Sequence, residues 1–367
     1  MKISLHLVPQ LLLGLVLLSS CSSGVSTPPP LAKGDRLLGM DVVSTTPTLN
    51  FNATIATAKA AGVQFITLAV LWKQINTTNA TYDPIWVNNV KEMAAACAAN
   101  GLKLSLTIWT VDTTGKHVPA DLLATRFTDI PQTMANRFVA LLDKLFITEG
   151  IDPALLTSIQ IGNELDSYNA AGDTTFSWSD YGAFLYQVKL LKSKKSYAAI
   201  PVGFTGTLYG LNEQKAVFTA LAGVVDIVGV TYYPLNLNFT VKDPSVVTSE
   251  IATLVDNYSA TGKPLYIQEA GYQSGSTAGN SSQEKQSQFV RNIFRAWDTH
   301  NSTIKAVAFL RMNDVSPAAA SATATQYGLA GILAFIEYIE TLGLVAYDGT
   351  VKAAYQTLAE NARARGW

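Results

Sequence analysis

Eight strand-length apolar runs that alternate with helical patterns predict a closed (β/α)8 barrel, a TIM barrel. The runs are Leu37–Val43, Val63–Val70, Leu102–Trp109, Leu156–Gly162, Ala198–Phe204, Val224–Tyr232, Pro264–Glu269 and Ile304–Leu310. Several are nearly continuous rather than alternating, as in parallel strands covered on both faces. Helical patterns such as Trp86–Asn100, Met134–Thr148, Tyr181–Lys194 and Gln283–His300 lie between them. Glycine marks the helix-to-strand junctions at Ala61-Gly62-Val63, Asn100-Gly101-Leu102, Glu149-Gly150-Ile151 and Thr261-Gly262-Lys263. A glycine just past a helix tolerates the left-handed conformation that ends it. Eight such βα units in roughly 330 residues fit the barrel. A doubly wound open sheet is the alternative, weakened because no glycine-rich phosphate loop follows the first run.

The barrel accounts for residues 36–367 as one domain. After the eighth run, the tail from Ser321 to Trp367 shows a turn at Asp348-Gly349 and a last helix, Lys352–Arg363. Ahead of the barrel, residues 1–20 read as a signal peptide, with Lys2 as the positive start. The apolar run Leu11–Leu18 is too short to span a bilayer. Leu18-Ser19-Ser20-Cys21 resembles the lipobox of bacterial lipoproteins. That resemblance implies cleavage before Cys21, a lipid on Cys21 and an exported protein anchored at the cell envelope. An ordinary secretory signal is the alternative. Residues 21–35, Ser-rich and then Pro28-Pro29-Pro30, read as an extended tether.

Composition excludes several classes of function. The 367 residues carry a net charge of −1, against the clustered Lys and Arg that nucleic acid requires. The basic cluster Lys189 to Lys195 reads as the solvent face of a helix. Beyond the leader there are His117 and His300, and besides Cys21 only Cys97, in the helical Met93-Ala94-Ala95-Ala96-Cys97. A Ser-His-Asp or Cys-His mechanism would have only His117 to use, which reads as loop structure. No His/Cys group has metal-ligand spacing and no nucleotide loop is present, so neither metal nor cofactor is expected. Acid–base work falls to carboxylates.

In a barrel the chemistry sits at the C-terminal ends of the strands. Polar and aromatic residues there are Asp41, Trp72 with Lys73, Trp109, Asn163 with Glu164, Tyr232-Tyr233-Pro234, Glu269, Arg311 and Asn313. Two carboxylates among aromatic rings suit glycoside hydrolysis: one protonates the leaving oxygen, the other attacks or activates water, and flat rings stack on sugars. Each residue also has a simpler reading. Glu164 could cap a following helix, Glu269 could pair with Lys73 or Arg311, and Trp72 and Trp109 could be upper core. The two glutamates at equivalent strand ends outweigh those readings taken singly.

These residues resemble clan A of the glycoside hydrolases, retaining barrel enzymes with glutamates on strands four and seven. Gly162-Asn163-Glu164 is similar to that clan's acid/base motif, and Ile267-Gln268-Glu269-Ala270-Gly271 to its nucleophile strand. Asp226 through Thr231-Tyr232-Tyr233-Pro234 resembles strand six of the endo-β-1,4-galactanases, and cellulase-like families are equally near. The segment from Trp72 through Ile75 and Tyr82 to Asp83 resembles the clan's loop after strand two. Gly343 to Tyr355 resembles its closing segment. Two positions depart from the pattern: Lys73 stands near where many members carry Arg, and Phe309-Leu310-Arg311-Met312-Asn313 lacks the Trp usual after strand eight.

The resemblance implies Glu269 as nucleophile and Glu164 as acid/base, with carboxyl groups about 5–5.5 Å apart. It implies Asn163 on the sugar 2-hydroxyl and Tyr233 or Tyr232 holding Glu269; by their place at the strand ends, Trp72, Trp109 and Asp41 are expected to line the cleft. The expected partner is a β-linked glycan, the protein acting as a monomer. A non-catalytic glycan-binding lipoprotein and a transglycosylase are the rival readings.

Overall fold

A computed structural model describes residues 29–42, 47, 50–129 and 132–367. The expected signal peptide, the lipidation site Cys21 and the tether up to residue 28 lie outside the described residues. Eight parallel strands close into a barrel in sequence order: β1 Leu37–Asp41, β2 Phe65–Leu71, β3 Lys103–Trp109, β4 Leu156–Ile161, β5 Val202–Thr207, β6 Ile227–Tyr232, β7 Leu265–Ala270 and β8 Ile304–Phe309. β8 returns to β1 with Leu37 opposite Ala306 and Met40 opposite Phe309. The surrounding helices are α1 Phe51–Ala60, α2 Pro84–Ala99, α3 Thr133–Asp143, α4 Trp178–Lys192, α5 Lys215–Val224, α6 Val246–Tyr258 and α7 Gln283–Thr299. After β8 come α8 Pro317–Gln326, α9 Leu333–Glu340 and α10 Ala353–Arg365. The closed barrel replaces the open-sheet alternative.

Seven strands fall within a few residues of their sequence positions, and the fifth is displaced toward the C-terminus. It begins at Val202 rather than Ala198 because Pro201 has no N–H to give a ladder. Tyr197 is also drawn away, its hydroxyl donating to Asp143 Oδ1 on α3 over 2.6 Å. The helices α8 and α9 were not foreseen. Neither carries a periodic apolar stripe of useful length in a tail otherwise rich in Ala and Thr.

Two compartments are filled. The larger lies between sheet and helices. The other is the barrel lumen, whose lowest layer is Leu37, Phe65, Tyr266, Ala306 and Ala308. Gly39 is needed there, since a Cβ would come within 2.3 Å of the Phe65 ring. Above it the lumen turns polar: Ser105 Oγ is 2.8 Å from Ser158 Oγ and donates to Gln268 Oε1 over 3.0 Å. That buried polar layer is the floor beneath the strand tips.

The opposite pole is closed by Arg36, only 1% exposed. Its guanidinium lies 5.1 Å from the ring centres of both Trp297 and Trp367. It pairs with Asp298 at 2.8 Å and donates to the carbonyls of Leu31 and Ala32. Asp298 also pairs with Arg365 of α10, so one carboxylate ties the chain's entry to its last helix. Burial opposes the charge on Asp298, but the two guanidiniums more than offset it and hold its carboxyl below the ordinary value. No helix among the described residues is long and apolar enough to cross a membrane.

Candidate active site

β4 delivers the first glutamate through a backbone that few residues tolerate. Gly162 takes a φ of +81°, and a Cβ there would lie 2.4 Å from Leu165 and 2.5 Å from the Tyr181 hydroxyl. Glycine is therefore obligatory. Glu164 itself is left-handed, φ +44°, a conformation that a non-glycine residue keeps only where its surroundings impose it. The fixing contacts are the Asn163 N–H, which donates to Val111 O over 3.1 Å, and the Ser167 N–H, which donates to Glu164 O over 2.8 Å.

The second glutamate is aimed by a β-bulge. Between β6 and β7 the register runs Val230 to Ile267 and then Thr231 to Glu269, skipping Gln268. The extra residue lets Gln268 point into the lumen toward Ser105 while Glu269 also turns to the strand mouth. Tyr233 donates its hydroxyl to Glu269 Oε2 over 2.6 Å. Gly271 makes room for that ring, since a Cβ would come within 2.4 Å of it.

Glu164 receives hydroxyl donors from two other elements. Thr231 donates to Oε1 over 2.9 Å, and Thr113 to Oε2 over 3.3 Å. Thr113 sits at the tip of a hairpin, Val111–Asp112 against Gly115–Lys116. The hairpin is braced by His117 Nε2 at 2.7 Å from Asp112 Oδ1. His117 is therefore loop structure, as its sequence context suggested.

The two carboxyl groups interact with each other. Burial first, and then the charge of Glu269, push the Glu164 carboxyl up to about 8, against the donor from Thr231. Burial also raises Glu269, with the Tyr233 hydroxyl opposing; Asp41 adds to the rise and Arg311 counters it. One proton is thus most stable on Glu164, and the negative charge on Glu269.

Asn163 is buried beside Glu164. Trp109 is half-buried and shares the lumen face of β3 with Ser105. Asp41, at the end of β1, lies within the electrostatic reach of Glu269. Two expectations are corrected. Trp72 is fully buried between the barrel and its helices, its ring 5.1 Å from Phe138 and 6.4 Å from Phe184, so it is core rather than cleft. Tyr232 is also fully buried and donates to Glu250 Oε2 on α6 over 2.7 Å. Strand alternation decides this: Thr231 faces the lumen, so its neighbour faces the helices. Of the two, Tyr233 is the one that reaches Glu269.

Lys73 is exposed, and the cation acting on Glu269 is Arg311, from the end of β8. Thr113 and Thr231 were missed, because a threonine in a hairpin or strand carries no sequence signal of its own. Tyr327 and Tyr338, from the segment after β8, were missed too; both interact with the two glutamates. Among the described residues no group of His, Cys, Asp and Glu could hold a metal ion.

Comparison with known proteins bears on the fold. Residues 31–148 match the model of the cellulase family, glycosyl hydrolase family 5, which is less than half of the chain. No curated protein matches significantly. Among solved structures, a GH5_18 protein from Bifidobacterium longum subsp. infantis aligns with a TM-score of 0.65 and 13% identity, covering 89% of this chain and 78% of that one. An exo-β-1,4-mannosidase from Opitutaceae bacterium strain TAV5 aligns with a TM-score of 0.67 and 13% identity, over 90% of this chain and 59% of its own. A fungal β-1,4-galactanase aligns at 0.60 and 14% identity, over 88% of this chain and 99% of its own. These likenesses are of fold. The family match adds a partial likeness over roughly the first third of the chain.

Proposed function

We propose that the protein is a retaining glycosidase for β-linked oligosaccharides or polysaccharides, with Glu269 as nucleophile and Glu164 as acid/base. The observation that supports this best is the asymmetry of the pair. On Glu164, burial and the neighbouring charge of Glu269 outweigh the hydroxyl donors, whereas Glu269 has a phenol and the nearby Arg311 to favour its charge. Two carboxyl groups whose environments separate their protonation are the requirement for this chemistry.

In the first step Glu269 Oε attacks the anomeric carbon. The glycosidic C–O bond breaks as Glu164 gives its proton to the leaving oxygen, leaving a glycosyl ester on Glu269. Glu164, now a carboxylate, then takes a proton from water. The resulting hydroxide oxygen bonds to the anomeric carbon, and Glu269 departs as a carboxylate. Asn163 would hydrogen-bond the sugar 2-hydroxyl, and Trp109 and Asp41 would line the cleft. The reading requires the carboxyl groups to lie about 5–5.5 Å apart.

The linkages named for similar proteins favour β-1,4-linked hexosides as the first to test. A GH5_18 variant from Streptomyces cattleya, at 16% identity, was solved with Manβ1-4GlcNAc. The decisive experiment is turnover of mannan, galactan, glucan and xylan oligosaccharides by the wild type and by Glu269→Gln. The reading predicts cleavage of at least one by the wild type and none by the variant. Binding without cleavage by the wild type would favour the glycan-binding lipoprotein instead, a reading that the absence of Trp from Phe309–Asn313 supports. Glycosylated products at high acceptor concentration would mark a transglycosylase.

Within the same proposal, residues 36–367 form the catalytic domain, acting as a monomer. Residues 1–20 are removed and Cys21 carries a lipid at the cell envelope. The support is Leu18-Ser19-Ser20-Cys21, and the mass of the mature N-terminal peptide tests it.

A further inference from the structure

We propose that the segment following β8 supplies the sugar-binding wall beside Glu269, with Tyr338 and Tyr327 as its aromatic contacts for a pyranose ring. This rests on the glycosidase reading above. Tyr338, on α9, is 9% exposed and meets the Tyr233 ring edge-on, centroids 5.7 Å apart at 89°. Tyr233 in turn donates to Glu269 over 2.6 Å. Tyr338 is therefore one ring removed from the carboxylate that attacks the sugar. Phe335 holds Tyr338 at 5.9 Å and Tyr327 at 5.7 Å, so the two phenols belong to one aromatic cluster.

That cluster is fastened on three sides. Phe335 packs on Phe239, from the loop after β6, at 4.8 Å. Glu337 accepts the N–H groups of Thr277, Ala278 and Gly279, in the loop after β7, over 3.0, 2.6 and 2.5 Å. Lys352 pairs with Asp314 at 2.7 Å and closes the segment behind it. Such fixing is what a binding surface needs, because a mobile ring would lose entropy on meeting the sugar.

The position of the phenols supports the same assignment. Burial and the charges of Glu164 and Glu269 keep both hydroxyls neutral, and Tyr327 also feels Asp112 in the hairpin after β3. A neutral phenol offers a flat face to sugar C–H groups and an O–H to sugar hydroxyls. The end of β8 offers no ring of its own toward the site: Phe309 is buried, pairs with β1 and stacks toward Phe294. The aromatic surface on this side of Glu269 therefore comes from later in the chain.

The test uses the full chain in a Glu269→Gln background, with the oligosaccharide that the wild type cleaves fastest as the calorimetric ligand. Tyr327→Leu and Tyr338→Leu keep apolar bulk and remove the ring. Each is expected to weaken binding about tenfold or more, and to raise KM in the active background. If Tyr338→Leu fails to fold, seen as a lost thermal transition, Tyr327→Leu decides alone. Affinity and KM within twofold of the parent in every variant that folds would overturn the proposal while leaving the glycosidase reading intact. Failure of the wild type to cleave any oligosaccharide would sink that reading, and the proposal with it.

Discussion

Thr231 donates its hydroxyl to Glu164 Oε1 over 2.9 Å from the strand position directly opposite Glu269. One residue of β6 therefore registers the two glutamates against each other: its backbone aligns with one and its side chain holds the other. The electrostatic consequence is a shared proton. Activity, followed as kcat/KM, should be bell-shaped in pH. The basic limb falls near 8, where Glu164 loses its proton. The acid limb lies above the ordinary glutamate value, because burial raises Glu269. Removing the acid with Glu164→Gln should abolish the basic limb on substrates whose leaving group needs no protonation. A wild-type profile flat from about pH 5 to 9 would contradict the assignment.

Loss of the donor to Glu269 is the second case. Tyr233→Phe removes the hydroxyl at 2.6 Å and keeps the ring that packs on Tyr338. A hydrogen bond to a charged group is worth about 1.5–3 kcal/mol, so kcat should fall roughly 10- to 100-fold. The acid limb should also move to higher pH, because the charged form of Glu269 loses support. A fall in kcat without movement of that limb would assign Tyr233 to substrate binding instead.

Stability carries the same signature with a definite sign. The folded-state value for Glu164, about 8, lies above its ordinary 4.5. Between those values the folded chain keeps a proton that the unfolded chain has released, so stability falls as pH rises through the window. Glutamine at this position does not titrate. Thermal unfolding of Glu164→Gln should therefore match the wild type near pH 4 and exceed it increasingly toward pH 8. An advantage that shrinks with rising pH would contradict the shift.

The pole opposite the site predicts a purely structural effect. Asp298→Ala strands the buried guanidiniums of Arg36 and Arg365, each of which pairs with it at 2.8 Å. Breaking such a cluster costs about 3–5 kcal/mol. Tm should drop, while kcat/KM measured well below the transition stays at the wild-type value.

The barrel was legible because parallel strands buried on both faces leave long apolar runs that glycine punctuates. The placement of the two glutamates at strand ends was legible because a carboxylate closing an apolar run stands out against it and is costly to bury. What escaped depends on parity and irregularity. Tyr232 and Tyr233 are adjacent and chemically alike, and only the facing of Thr231 decides that the second meets Glu269. The bulge at Gln268 that turns Glu269 inward has no residue signature. Trp72 reads as a rim aromatic but begins a one-turn helix, Trp72–Ile75, that carries it into the core. The wall from α8 and α9 was hidden in an Ala-rich segment and a short, mostly apolar run without a capping side chain at its start.

Covalent trapping tests the central claim most directly. A 2-deoxy-2-fluoro glycoside of the sugar released from the cleaved glycan, carrying an activated leaving group, slows the second step more than the first. Intact mass followed by peptide mapping should show one glycosyl adduct, on Glu269 in the peptide containing Leu265–Tyr272. An adduct on any other residue, or hydrolysis of the natural substrate that releases the inverted anomer, would contradict the account.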